Sequence, residues 1–377
     1  MSNTILSRRL FLTISAAAVS SCALIPKGLI DSNSSSSSLG KLIFTFDVGS
    51  PQKFYVVIMD LDANKIQKIE TPANIHFLEH FDRENNLLIG TNKTGEYLSV
   101  VNSATGTVKT HSMGSAYNLM GHTAFSADKR FLCATARRIV DDKNCIVILD
   151  QKTFAILDAI VLPDSYPPNH DCKFIPGTTM LVTTGGQNIE LVDRVNKTVN
   201  IVKVPFTNPE SQVRHFTVSK DGDMSFQSNV MYGNEPKSLT YSLGAVVTYD
   251  RKKNAAQVLD PVIEGVNIFN RELIDFQFSG DGETVAVTAK NYNYVTFWNF
   301  KTGKLIKSVD IPYPVRVTLS KNEKYFVIIS GHGLRYITTS TLELKTSMNQ
   351  FDDMFNETIY EPATHGTYLS ITHRQTI

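Results

Sequence analysis

The sequence predicts an all-β fold, a seven-bladed β-propeller closed by N- and C-terminal strands that share one blade. Three observations carry this: a strand-like texture without helical period, a repeat of about 48 residues, and ends that complement each other. From residue 40 onward, short runs rich in Val, Ile, Thr, Tyr and Phe are split by Gly, Asn, Asp and Lys turns. Phe54-Tyr55-Val56-Val57-Ile58-Met59, Cys145-Ile146-Val147-Ile148-Leu149 and Tyr325-Phe326-Val327-Ile328-Ile329 have the length and β-branched content of buried strands.

The repeat is visible in Gly121-His122-Thr123-Ala124-Phe125-Ser126-Ala127-Asp128-Lys129, in Arg214-His215-Phe216-Thr217-Val218-Ser219-Lys220-Asp221-Gly222 and in Ile274-Asp275-Phe276-Gln277-Phe278-Ser279-Gly280-Asp281-Gly282. Weaker copies begin at His76, His170 and Arg316. Each unit supplies four short antiparallel strands, which bury their faces only by stacking radially on neighbours. Residues 42–46, 55–59 and 66–70 give three strands of the first blade, and residues 367–371 are expected to complete it. This closure removes free sheet edges. An insertion at residues 231–242, with Asn234 and Pro236, is expected to form a loop on one rim.

Composition supports a large folded body. Of 377 residues, 42% are hydrophobic and 19% charged, which excludes a disordered chain. The net charge of +1 offers no field to attract nucleic acid.

Residues 1–22 read as a lipoprotein export signal. Ser7-Arg8-Arg9-Leu10-Phe11-Leu12 is a twin-arginine pattern, and the apolar stretch after it is too short to span a bilayer. Val19-Ser20-Ser21-Cys22 resembles a lipobox, making Cys22 the expected site of acylation. Residues 23–39 form a tether with five consecutive serines from Ser34, and residues 40–377 form the propeller. The expected location is the periplasmic side of the envelope, lipid-anchored. Twin-arginine export carries folded cargo, sometimes with a cofactor already inserted. Beyond Cys22, Cys133, Cys145 and Cys172 are an odd set and are expected to be buried free thiols.

Aligning the units on the Asp or Asn of the first turn and stepping back six residues gives His76, His122, His170, His215, Asp275 and Arg316. His365 follows at the matching point of the C-terminal strand, so five of nine histidines share one repeat phase. If that phase opens the innermost strand, these side chains encircle one mouth of the channel. Three readings stand side by side. Histidine caps a strand; or the imidazoles bind a transition metal, iron, copper or zinc; or the ring with Arg316 holds an anionic or polar organic ligand. No Cys-x-x-Cys-His, Gly-x-Ser-x-Gly or His-Glu-x-x-His occurs, which excludes covalent c-type haem and two hydrolase classes. Trp298 is expected to be packing, and His80 an ordinary surface residue.

The units Gly121 to Asp128, Val213 to Gly222 and Phe278 to Val287 resemble a bacterial family of Tat-exported seven-bladed propellers, defined as a domain of unknown function. That family is related to the YVTN-type and quinoprotein amine dehydrogenase-like propellers. Its Gly-His or Arg-His strand openings correspond here to His76, His122, His170 and His215. The resemblance implies association with imelysin-like lipoproteins and di-haem proteins, and so with periplasmic metal acquisition. Two features depart from it: Thr135-Ala-Arg-Arg138 replaces an acidic stretch, and a long loop after Gly185-Gly186 is missing.

Anchor, tether and repeat together point to a non-catalytic ligand- or partner-binding protein. The alternative is a lactonase-like or oxidoreductase-like propeller with His215, Asp275 and Arg316 at the channel mouth.

Overall fold

The computed structural model describes residues 37–348, apart from short segments at 49–52, 83–84, 93–94, 166–167, 207–210, 231–244, 260–261, 264–265, 268–272, 290–292 and 331–332. Arg8, Arg9, Cys22, the rim insertion, His365 and the strand expected at 367–371 lie outside the described residues.

Among the described residues, seven antiparallel sheets follow one another in sequence order as blades, with a separate two-stranded sheet between blades five and six. Blade one holds β1 (Lys41–Val48), β2 (Lys53–Asp60) and β3 (Lys65–Thr71). Blade two holds β4 (Phe77–Asp82), β5 (Leu87–Thr91), β6 (Tyr97–Asn102) and β7 (Val108–Ser112). Blade three holds β8 (Tyr117–Phe125), β9 (Phe131–Arg138), β10 (Lys143–Asp150) and β11 (Ile156–Val161). Blade four holds β12 (Cys172–Phe174), β13 (Met180–Gly185), β14 (Asn188–Asp193) and β15 (Thr198–Lys203). Blade five holds β16 (Ser211–Val218), β17 (Met224–Val230), β18 (Val246–Asp250) and β19 (Ala255–Val258). A two-residue ribbon, β20 (Val262–Ile263) with β21 (Val266–Asn267), precedes blade six. Blade six holds β22 (Leu273–Phe278), β23 (Thr284–Ala289), β24 (Tyr294–Asn299) and β25 (Leu305–Asp310). Blade seven holds β26 (Pro314–Leu319), β27 (Tyr325–Ser330) and β28 (Gly333–Thr338), with a bridge from Ile337 to Leu344 marking its outer edge.

Each blade buries its two faces against its neighbours, so the apolar core is divided into inter-blade layers. Ile43, Val56 and Ile58 of blade one meet Leu78 and Leu88 of blade two. The same arrangement recurs between each following pair, through blades six and seven. Phe44, Val57 and Met59 of blade one then pack on Val327, Ile329 and Tyr336 of blade seven. Core between the last blade and the first is what a closed ring requires. Backbone bonds at the same seam include Lys321 N–H to Leu39 O at 3.0 Å.

The repeated Ser-x-Asp turn has a common physical basis. Ser126 Oγ donates to Asp128 Oδ1 at 2.6 Å and accepts from Phe131 N–H at 3.1 Å, pinning the hairpin between β8 and β9. Ser279 does the same with Asp281 in blade six, and Ser320 with the Asn322 side-chain carbonyl in blade seven. The turn passes through a left-handed residue, φ 85° at Gly222 and 75° at Gly282, which glycine adopts without strain.

Cys133, Cys145 and Cys172 are buried free thiols. Cys133 faces the layer between blades three and four, Cys145 the layer between blades two and three, so the sheet separates them. Burial pushes both thiols up to about 12. Trp298 packs in the layer between blades five and six, its Nε1 donating to Thr296 Oγ1 at 3.0 Å.

Candidate metal centre in the channel

First strands of neighbouring blades stand side by side, β1 with β4, β4 with β8, β8 with β12, β16 with β22 and β22 with β26, while β16 meets blade four at β13. Near the ends of these first strands, His80, Phe125, Phe174, Val218, Phe278 and Leu319 pair with Leu88, Leu132, Leu181, Met224, Val285 and Phe326 of the second strands. Three residues earlier stand Phe77, His122, Asp171, His215, Asp275 and Arg316, and all six line one cavity of about 340 Å³. His76 and His170 sit one position before this layer, level with Gly121 and Arg214. The single phase expected from spacing is therefore two adjacent layers. In blade four the turn register runs from Ile175 N–H to Met180 O, equivalent to Ser126 N–H to Phe131 O, which puts Asp171 rather than His170 opposite His122.

Bulges aim these residues inward. Pairing slips between Leu119 and Thr123, between Val213 and Phe216, between Leu273 and Asp275 and between Pro314 and Arg316. A bulge redirects a side chain without ending the strand. Threonines on the second strands then tie the inner layer to the next blade. Thr91 Oγ1 donates to Gly121 O at 2.6 Å, Thr135 Oγ1 to His170 O at 2.9 Å and Thr184 Oγ1 to Arg214 O at 2.8 Å.

Four imidazoles converge. His122 and His170 have ring centroids 4.7 Å apart; His76 lies 5.3 and 5.1 Å from them, and His215 lies 5.2 and 5.0 Å away on the other side. His76, His122 and His170 are only 8%, 4% and 6% exposed, while His215 is half-buried against the cavity. Two triads, His76/His122/His170 and His122/Asp171/His215, each present ligand atoms within 4.8 Å of one another.

Gly121 makes the convergence sterically feasible. A Cβ there would stand 2.6 Å from His76 Cδ2 and 3.0 Å from His170 Cε1, and its φ is 111°. The bare backbone leaves His76 Nε2 and His170 Nε2 3.2 Å apart. His170 Nδ1 lies 2.6 Å from Met120 O. A carbonyl only accepts, so Nδ1 carries the proton and, in the neutral ring, Nε2 keeps its lone pair. His76 Nε2–H then donates to it.

Burial and neighbouring positive charge disfavour the protonated form of two of these rings, His170 and His215. Burial holds His170 well below the usual histidine range, reinforced by His122, His76 and Arg214 and opposed by Asp171. Burial does the same for His215, reinforced by His170 and His122. His122 Nδ1 lies 3.1 Å from Asp171 Oδ1. Asp171 accepts from the Lys173 ammonium at 3.0 and 2.9 Å and from Phe216 N–H at 3.3 Å.

Asp275 has a structural task. Its Oδ1 accepts from Phe276 N–H and its Oδ2 from Val317 N–H, both at 3.0 Å, stapling blade six to blade seven. Asp171 does the equivalent between blades four and five. Arg316 is half-buried in the cavity wall opposite. Behind the ring, Glu190 is fully buried; Asn169 Nδ2 donates to its Oε2 at 2.9 Å, and burial raises its carboxyl to about 7.

Phe77, Gly121, Asp171, Lys173 and Glu190 were not legible as site residues. Counting four back from Ile175, the residue equivalent to Ser126, locates Asp171. Glu190 follows only from the burial of β14.

No family model and no curated protein matches the chain. Solved structures do. Hydrazine synthase of Kuenenia stuttgartiensis is similar at TM-score 0.61 and 13% identity, over 84% of this chain and 99% of that one. A candidate 6-phosphogluconolactonase from Bacteroides uniformis is similar at TM-score 0.57 and 13% identity, over 84% and 98%. At that identity the likeness defines the class, a seven-bladed β-propeller.

Proposed function

We propose that this chain is an exported, lipid-anchored binding propeller whose ligand is a transition-metal ion, held in the channel by His76, His122 and His170, and that it serves periplasmic metal acquisition. The observation that carries the reading is the pair of Nε2 atoms 3.2 Å apart. Two imidazoles on one tetrahedral ion, each bonded at about 2.0–2.1 Å, have nitrogens about 3.3 Å apart. The donor set fits such an ion: neutral imidazoles suit zinc, copper and iron. The outer contacts fit as well. Met120 O at His170 Nδ1 is the carbonyl partner that leaves Nε2 to the metal, and the Asp171 carboxylate stands 3.1 Å from His122 Nδ1. Metal binding displaces the proton that His76 Nε2 holds, so uptake releases or shifts one proton.

Calorimetric titration of the folded domain with Zn²⁺ or Cu²⁺ tests the reading. One ion per chain, bound tighter than about 10 µM, is expected; no heat with either ion contradicts it.

The cavity supports a second reading, a lactonase-like enzyme acting on a small anion. Lys173, Arg316 and His215 share its wall, and its volume suits a small organic molecule. Turnover of a lactone that is lost in Arg316→Ala while metal binding persists would favour it.

A further inference from the structure

We propose that the channel holds two stations for one metal ion, an outer one at His122, Asp171 and His215 and an inner one at His76, His122 and His170, with His122 passing the ion between them. This rests on the metal reading above and adds a route to it.

Both triads bring their ligand atoms within 4.8 Å of one another, and they share one residue. They differ in access. His122, Asp171 and His215 all line the 340 Å³ cavity, whereas His76 and His170 stand in the layer behind it. They differ in donors too. The outer triad has one carboxylate, already engaged by Lys173 and by Phe216 N–H. An ion there competes with an ammonium and a backbone amide, which favours brief residence. The inner triad offers only imidazoles, buried and braced from Met120 O, which favours tight binding.

His122 lies between them, its ring 5.3 Å from His76 and 5.2 Å from His215. A shared ligand lets the ion exchange Asp171 and His215 for His76 and His170 without losing all protein contact. It also places the two stations too close for simultaneous independent use, so the stoichiometry stays at one.

The experiment is stopped-flow loading of the metal-free folded domain with CoCl₂, followed by the visible bands of the imidazole-bound ion, with affinity measured by titration on the same samples. His215→Gln is expected to slow association about tenfold while affinity falls less than threefold. His76→Ala is expected to keep the fast phase and weaken final affinity about 100-fold. Asp171→Asn provides a second outer-station variant, and circular dichroism checks that each variant is folded. Equal losses of rate and affinity in both variants, or wild-type loading in the folded outer-station variants, overturn the proposal. A wild-type domain that takes up no Co²⁺ overturns the metal reading itself, a result distinct from either.

Discussion

His76 and His170 are 94 residues apart in the chain, yet their Nε2 atoms stand 3.2 Å apart across the backbone of Gly121. Blades two and four reach each other there because blade three contributes no side chain at that level.

Gly121→Ala therefore attacks the site through one methyl group. The added Cβ would meet His76 Cδ2 at 2.6 Å on a residue at φ 111°. The expected cost is about 1–3 kcal/mol in denaturant unfolding, with metal affinity reduced more than in any surface variant. Wild-type affinity in Gly121→Ala would contradict this placement.

Asp275 separates structure from binding. Asp275→Ala leaves Phe276 N–H and Val317 N–H without their carboxylate, at an expected cost of about 3 kcal/mol. The variant, if folded at low temperature, is expected to bind metal with affinity close to wild type. Loss of binding without loss of stability would place Asp275 among the ligands instead.

Glu190 gives a pH dependence of definite sign. Its folded carboxyl titrates at about 7 against 4.5 in the unfolded chain. The stability that its protonated form brings is complete below pH 4.5 and lost as the pH rises through 7. Glu190→Gln keeps an acceptor for Asn169 and cannot ionise. It is expected to exceed wild type by about 3 kcal/mol at pH 8 and to match it near pH 4. Equal urea midpoints at pH 8 would contradict the burial argument.

The histidines act in the opposite direction. His170 and His215 are held below their unfolded value of 6.5. Below that pH the unfolded chain takes protons the folded one refuses, so stability falls as the medium becomes acid. In the Glu190→Gln background, melting temperature is expected to fall steadily from pH 7 to pH 5. A flat profile would mean that both rings accept protons in place.

The propeller was legible because its determinants are local and repeated: Ser-x-Asp turns, β-branched strands, and a period that survives sequence drift. The site was legible in part. Histidine spacing located the four rings that converge, but blade four replaces Ser-x-Asp with Ile175-Pro176-Gly177, and that hid the one-residue offset between His170 and Asp171. Lys173 and Phe77 were invisible because their relevance comes from packing around the axis, which no linear pattern records. Asp275 shared the histidine phase for another reason, since a carboxylate there caps the next blade.

X-ray absorption at the metal edge of the zinc-loaded domain tests the central claim most directly, because it counts donors and identifies them. Three or four imidazole nitrogens at about 2.0–2.1 Å, falling by one in His76→Ala, are predicted. A shell of oxygens alone, or sulfur at about 2.3 Å, would contradict a metal centre built from these rings.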